Sequence, residues 1–213
     1  MNSRIYFREY KKEDAPYIEE IIRYTWKYDL FCSKEVAKKM AKLYLTSCLA
    51  NQTFTIVAIL DDKPVGIIMA KSIKDYTRLV KYLFPQLMAG IKLLISSEGR
   101  NIATTFERIS DIDKNLLSER NKKFDGEIAF FAVNEKCRGT GIGKSLFKLA
   151  IDYFKIVGVE SFYLYTDSSC NYGFYEHQGL KRSSEKTIEV PISIKNEMKF
   201  YLYEGDILEL STT

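Results

Sequence analysis

Phe131-Ala132-Val133-Asn134-Glu135-Lys136-Cys137-Arg138-Gly139-Thr140-Gly141-Ile142-Gly143-Lys144-Ser145-Leu146 joins an apolar strand to a glycine-rich turn that opens a helix. Upstream, Glu127 to Val133 is an apolar run of strand length. Downstream, Leu146, Phe147, Leu149, Ala150, Ile151 and Phe154 recur at helical spacing. The three glycines between them admit positive φ and close approach of a ligand, so consecutive N–H groups converge on an anion at the positive end of the helix. The stretch reads as a phosphate cradle.

Three glycine-rich patterns compete for it, and counting residues separates them. A nucleotide P-loop needs a glycine five positions before Gly143-Lys144-Ser145, and Arg138 stands there. A dinucleotide Gly-x-Gly-x-x-Gly fails in both registers, ending on Lys144 or on Leu146. What remains is Arg138-x-x-Gly141-x-Gly143. A second strand follows, Ser161 to Thr166, and then Phe174-Tyr175-x-x-x-Gly179-Leu180, a short tyrosine-bearing helix that Ser168 or Ser169 can cap and Gly179 can terminate.

Together these two motifs resemble the GNAT superfamily of N-acetyltransferases, closely over residues 124–182 and in element order elsewhere. The resemblance implies an α/β (α+β) single domain over residues 1–213: a mixed, mostly antiparallel central sheet flanked by helices. It also implies acetyl transfer from acetyl-coenzyme A to a primary amine, by direct attack in a ternary complex. The cradle Arg138, Gly139, Thr140, Gly141, Ile142, Gly143, Lys144 and Ser145 would hold the diphosphate. The strand end at Phe131, Ala132 and Val133 would splay from its neighbour, pairing with pantetheine and turning the Val133 N–H to the thioester oxygen. Ser168 or Asn171 would supply a further polar contact.

The resemblance also implies that Tyr175, standing where the superfamily carries a tyrosine beside the coenzyme sulfur, is the acid for the departing thiolate, and an ordinary phenol stays protonated at neutral pH. Glu127 is the expected base: a two-residue period places Glu127, Ala129, Phe131 and Val133 on one face, towards the acceptor. Cys170 reads as a packed thiol, because direct attack needs no covalent intermediate and the single histidine, His177, falls across the helix from it. A non-catalytic acyl-coenzyme A sensing module is the alternative use of the same cradle, against which Tyr175 and Glu127 argue.

The remaining sequence sets bounds. With 46% hydrophobic and 28% charged residues among 213, the chain suits one compact core. Its net charge of +4 gives little ground for a nucleic-acid partner, and Lys34, Lys38, Lys39 and Lys42 read as the solvated face of an amphipathic helix. Apolar runs such as Phe54 to Leu60 are too short to cross a bilayer, and the polar Met1-Asn2-Ser3-Arg4 start is unlike a signal peptide. A cytoplasmic location with no membrane partner follows. Cys32, Cys48, Cys137 and Cys170 show no metal-ligand spacing, so no metal is expected and the thiols read as reduced.

Coarsely, a strand at Ile5 to Arg8 precedes a helix opened by Pro16, a second helix over Ser33 to Leu49, and a hairpin of Phe54–Leu60 with Val65–Ala70. About fifty residues, 71–124, then intervene before the coenzyme-binding strand. Leu79, Leu83, Leu87, Ile91 and Leu94, then Ile102, Phe106, Ile109, Ile112 and Leu116, predict two inserted helices. They are expected to form a lid or pocket wall over the acceptor, or else extra packing or the surface of a homodimer.

Overall fold

The computed structural model describes residues 4–77, 79–189 and 197–210, so the Met1–Ser3 start lies outside it. Strands β1 (Ile5–Glu9), β2 (Phe54–Leu60), β3 (Lys63–Ser72), β4 (Gly126–Val133), β5 (Ser161–Asp167), β6 (Lys181–Glu189) and β7 (Glu197–Asp206) form one sheet. Its order is β1-β2-β3-β4-β5-β7-β6. Every neighbouring pair is antiparallel except β4 with β5. The mixed, mostly antiparallel sheet expected from the sequence is thus present. The hairpin between β2 and β3 turns on Asp61 and Asp62, both at positive φ, as the right-handed strand twist favours in a two-residue turn.

Helices cover both faces. Helix α1 (Ala15–Thr25) takes Pro16 in its first turn, and α2 (Lys34–Ala50) starts where the Ser33 hydroxyl accepts from the Val36 N–H. Both bury an apolar stripe, including Ile18, Ile22, Ala37 and Leu45, against Val57, Ile67 and Phe130 of the sheet. On the other face α5 (Ile142–Val157) buries Leu146, Ala150 and Phe154 against Ile68, Ile128 and Phe162. The α2 lysines Lys34, Lys38 and Lys42 are exposed, leaving the opposite stripe for the core.

The inserted helices are α3 (Val80–Leu94) and α4 (Ser97–Ser118), the latter capped by the Ser96 hydroxyl on Gly99 N–H. α3 packs through Ala89 and Leu93 and leaves Val80, Phe84, Leu87, Ile91 and Leu94 exposed. α4 carries Ile112 and Leu116 into a third cluster with Phe124, Tyr163, Phe200 and Leu202. The cluster rests partly on β7, a strand that sequence periodicity did not single out. It lies between β5 and β6 and buries Phe200, Tyr201, Leu202 and Tyr203 in succession, so its two faces show no polar–apolar alternation.

Candidate active site

Strands β4 and β5 pair only at Gly126 with Phe162 and at Glu127 with Tyr163. Beyond that point β5 bonds β7 on its far side and β4 bonds β3, and the two strands diverge. The Asn134 N–H donates to Val65 O across β3, which fixes the phase of the ladder. Residues at alternate positions point their N–H and C=O to opposite sides. Ala132 and Phe130 therefore address β3, whereas Phe131 and Val133 turn their backbone groups to the open side. Ala132, grouped above with the free backbone groups, has its own committed to β3.

The opening is the mouth of a cleft of about 790 Å³, lined from both strands. At one end lies the glycine turn. Gly139 and Gly141 adopt φ of 78° and 84°, and a Cβ at either would meet nothing within 4 Å, so backbone conformation selects glycine there. The first bond closing onto this turn is Ser145 N–H to Gly141 O, leaving the N–H groups of Ile142, Gly143 and Lys144 without intrahelical acceptors. Arg138, Gly139, Gly141, Gly143 and Lys144 border the cleft.

Arg138 and Lys144 are exposed and form no ion pair with another described residue. Thr140, Ile142 and Ser145 send their side chains elsewhere. Thr140 donates to Cys137 O at 2.6 Å, Ile142 is buried in the core, and Ser145 is exposed outside the cleft. Their share in an anion site is confined to the backbone. Free N–H groups, two unpaired cations and a surface without Cβ atoms fit a diphosphate.

Tyr175 lines the cleft from α6 (Gly173–His177), its ring among Phe131, Phe174 and Tyr203. Its hydroxyl makes no hydrogen bond to another described residue. Burial, with Cys170, Asp167 and Tyr203 nearby, raises the phenol above its ordinary range and keeps it protonated. Gly179 ends the helix at φ 85°, with Leu180 N–H returning to Tyr175 O.

The expected serine cap is absent. α6 follows Tyr172 with no side-chain cap, because the Ser168 hydroxyl accepts from Lys199 N–H of β7 and Ser169 is bound through its N–H and hydroxyl to Asp167. Ser168 and Asn171 still border the cleft. Cys170 borders it too, but burial and Asp167 push its thiol up to about 12, which suppresses the thiolate. His177 is exposed and bound to Gly173 O.

Glu127 does not border the cleft. It lies at the foot of the V, its carboxylate 2.5 Å from Lys71 Nζ and accepting from the Tyr163 hydroxyl at 3.2 Å. The single face inferred for Glu127, Ala129, Phe131 and Val133 is also incorrect. Met69 pairs with Phe130 but Ala70 pairs with Ile128, so Ala129 is an extra residue in a β-bulge. The bulge shifts the alternation. Phe131 and Val133 pack with the α5 cluster, whereas Ala129 and Phe130 pack with the α1–α2 cluster.

The cleft also has an aromatic wall. Trp26 lies 5.0 Å from Tyr44 and 6.0 Å from Phe130, ring centre to centre, and Phe106 of α4 meets Tyr28 at 5.8 Å. Phe106, Ile109 and Asp113 of α4 and Tyr165 of β5 line the cleft as well. Of the insertion, α4 is thus a cleft wall, while no residue of α3 borders the cleft. This wall was not read from the sequence, since its rings come from segments far apart in the chain. Among the described residues no group of three His, Cys, Asp or Glu side chains is placed to hold a metal.

A sheet opened between a parallel pair, with an anion cradle and a buried tyrosine beside free strand groups, defines a cleft suited to a phosphate-bearing ligand that can pair with β4. The sequence profile of the acetyltransferase (GNAT) family matches residues 18–180, and the chain belongs to that family of acyl-transfer enzymes. No curated protein sequence matches it.

Among solved structures, PH1933 from Pyrococcus horikoshii OT3 superposes with a TM-score of 0.58 at 17% identity, covering 95% of this chain and 98% of that one. The ribosomal-protein-S18-alanine N-acetyltransferase from Escherichia coli gives 0.56 at 11% identity over 96% and 94%. An N-acetyltransferase from Staphylococcus aureus Mu50 gives 0.54 at 15% identity over 96% and 99%. At such identities the likeness establishes the fold.

Proposed function

We propose that this protein transfers the acetyl group of acetyl-coenzyme A to a primary amine by direct attack in a ternary complex. The observation that carries the reading is the end of β4–β5 pairing at Glu127 and Tyr163, which leaves Phe131 and Val133 facing an open slot between the cradle and Tyr175. The diphosphate is held by the N–H groups of Gly139 to Lys144 and by Arg138, and the pantetheine arm adds to β4 as a strand would. The Val133 N–H polarises the thioester carbonyl, and Tyr175 supplies the proton to the leaving thiolate. Asn171 and Ser168 flank the arm.

Glu127, engaged by Lys71, is a neighbour of this chemistry from the foot of the V. The enzyme works in the cytoplasm, a reading the four unpaired thiols support. No helix among the described residues is long and apolar enough to cross a membrane.

Isothermal titration with acetyl-coenzyme A and with ATP tests the site, and binding of the coenzyme alone is expected. Release of free thiol with an amine library then tests turnover. Coenzyme binding with no acceptor consumed anywhere in the library would favour an acyl-coenzyme A sensor.

A further inference from the structure

Asp113 projects from the cleft-facing side of α4, one helical face shared with Phe106 and Ile109. Its carboxyl makes no hydrogen bond or ion pair with another described residue. The charged and titratable groups around it offer no free cation close by. Tyr165 and Asp167 approach from β5, Glu127 from β4 is occupied by Lys71 of β3, and Lys27 and Glu197 stand elsewhere on the cleft wall. Trp26, Tyr44 and Phe130 line the same cleft. A carboxylate lacking a partner, on the wall of a cleft that aromatic rings also line, is a place for a cation that arrives with a ligand.

We propose that Asp113 receives the ammonium of the acceptor and takes its proton, and that the acceptor is a small primary amine on an aromatic or apolar stem without a carboxylate of its own. The inference rests on the acetyl-transfer reading and extends it to the acceptor. One N–H bond of the ammonium breaks and its proton passes to an Asp113 oxygen, which frees the nitrogen lone pair. That pair forms the C–N bond to the thioester carbon, the C–S bond breaks, and the thiolate takes the Tyr175 proton. The second proton shed by the nitrogen restores Tyr175, and Asp113 returns its proton to solvent.

Burial, reinforced by Asp167 and Glu127, pushes the Asp113 carboxyl up to about 7, which suits a group that both accepts and releases a proton near neutrality. A substrate carboxylate would instead meet Asp113, Asp167 and Glu197.

Trp26 is the only tryptophan of the chain and lines the same cleft as Asp113, so its fluorescence reports occupancy without turnover. The coenzyme-A-loaded protein is titrated with 2-phenylethylamine, 2-phenylethanol and phenylalanine. The amine is expected to bind saturably at about pH 8 and about tenfold more weakly at about pH 5.5, where Asp113 is protonated. Asp113→Asn is expected to lose the same factor at the higher pH, and Asp113→Glu to recover part of it. The alcohol and the amino acid should show no dependence on Asp113.

Equal amine affinity in wild type and Asp113→Asn, or a signal insensitive to pH, overturns the proposal. If Asp113→Asn does not fold, the wild-type pH titration decides alone. A protein that binds coenzyme A but none of the three probes refutes the acceptor assignment and leaves the acetyl-transfer reading standing, whereas failure to bind coenzyme A refutes the latter.

Discussion

Lys71 Nζ lies 2.5 Å from Glu127 Oε2 where β4 and β5 part, and both side chains are largely shielded from water. The pair closes the foot of the V that forms the cleft. Removing one partner strands a buried charge, while removing both does not. Lys71→Met is expected to cost about 3 kcal/mol in urea denaturation, and Lys71→Met/Glu127→Leu to recover most of that. A double variant no more stable than the single would show that the pair is not what shields this junction.

Tyr175→Phe removes one oxygen and keeps the ring packed against Phe131 and Tyr203. Turnover is expected to fall by about a hundredfold with acetyl-coenzyme A affinity preserved. Stopped-flow thiol release and calorimetry separate the two quantities. An unchanged turnover rate takes Tyr175 out of the mechanism.

Gly141 and Gly143 should respond differently to alanine. At Gly141 the left-handed backbone costs an L-residue about 1–2 kcal/mol although the space is open. Gly141→Ala is therefore expected to lose both stability and coenzyme affinity. At Gly143 a Cβ would meet Phe131 at an ordinary 3.6 Å, inside a helix that prefers alanine, so Gly143→Ala should melt no lower than wild type. Equal melting temperatures for the two variants would contradict the backbone account of the cradle.

Asp113 also makes stability depend on pH. Its folded-state affinity for a proton exceeds the unfolded one, so the native chain holds more protons between about pH 4 and about pH 7. This contribution is complete below the unfolded value and is lost as pH rises through about 7. Denaturation midpoints for wild type should fall across that window relative to Asp113→Asn. Parallel curves would mean the carboxyl is not perturbed.

The two faces of α4 predict separable effects. Leu116→Ala opens the cluster with Tyr163 and Leu202 and should cost about 2–5 kcal/mol. Ile109→Ala, at a half-buried position that borders the cleft and packs on the rim of the same cluster, should cost less than Leu116→Ala and alter which amines are accepted. Comparable destabilisation by both would mean that Ile109 is a core residue.

The glycine turn and the tyrosine helix were legible because each is a local pattern. Positive φ at Gly139, Gly141 and Gly179 demands a residue type at a fixed position, and the surrounding periodicity places it. Both inserted helices were legible for the same reason. The surroundings of Glu127 were not: period-two counting put it on one face with Phe131 and Val133, whereas the bulge at Ala129, which depends on pairing with β3, sends those two to the opposite face. Nor could spacing within α4 reveal that Asp113 and Tyr165 border one cleft, which is set by how the insertion lies across the sheet. β7 escaped because a strand buried on both faces lacks alternation, and the serine caps failed because Asp167 and β7 compete for the same hydroxyls and N–H groups.

Because α4 is bolted to the sheet by Ile112 and Leu116 while it brings Asp113 to the cleft, the acetyl-transfer proposal makes one helix both a structural beam and a carrier of acceptor choice, with Phe106 and Ile109 sharing in both. Grafting α4 between relatives is therefore a way to exchange substrate range, provided that the core-facing residues travel with it.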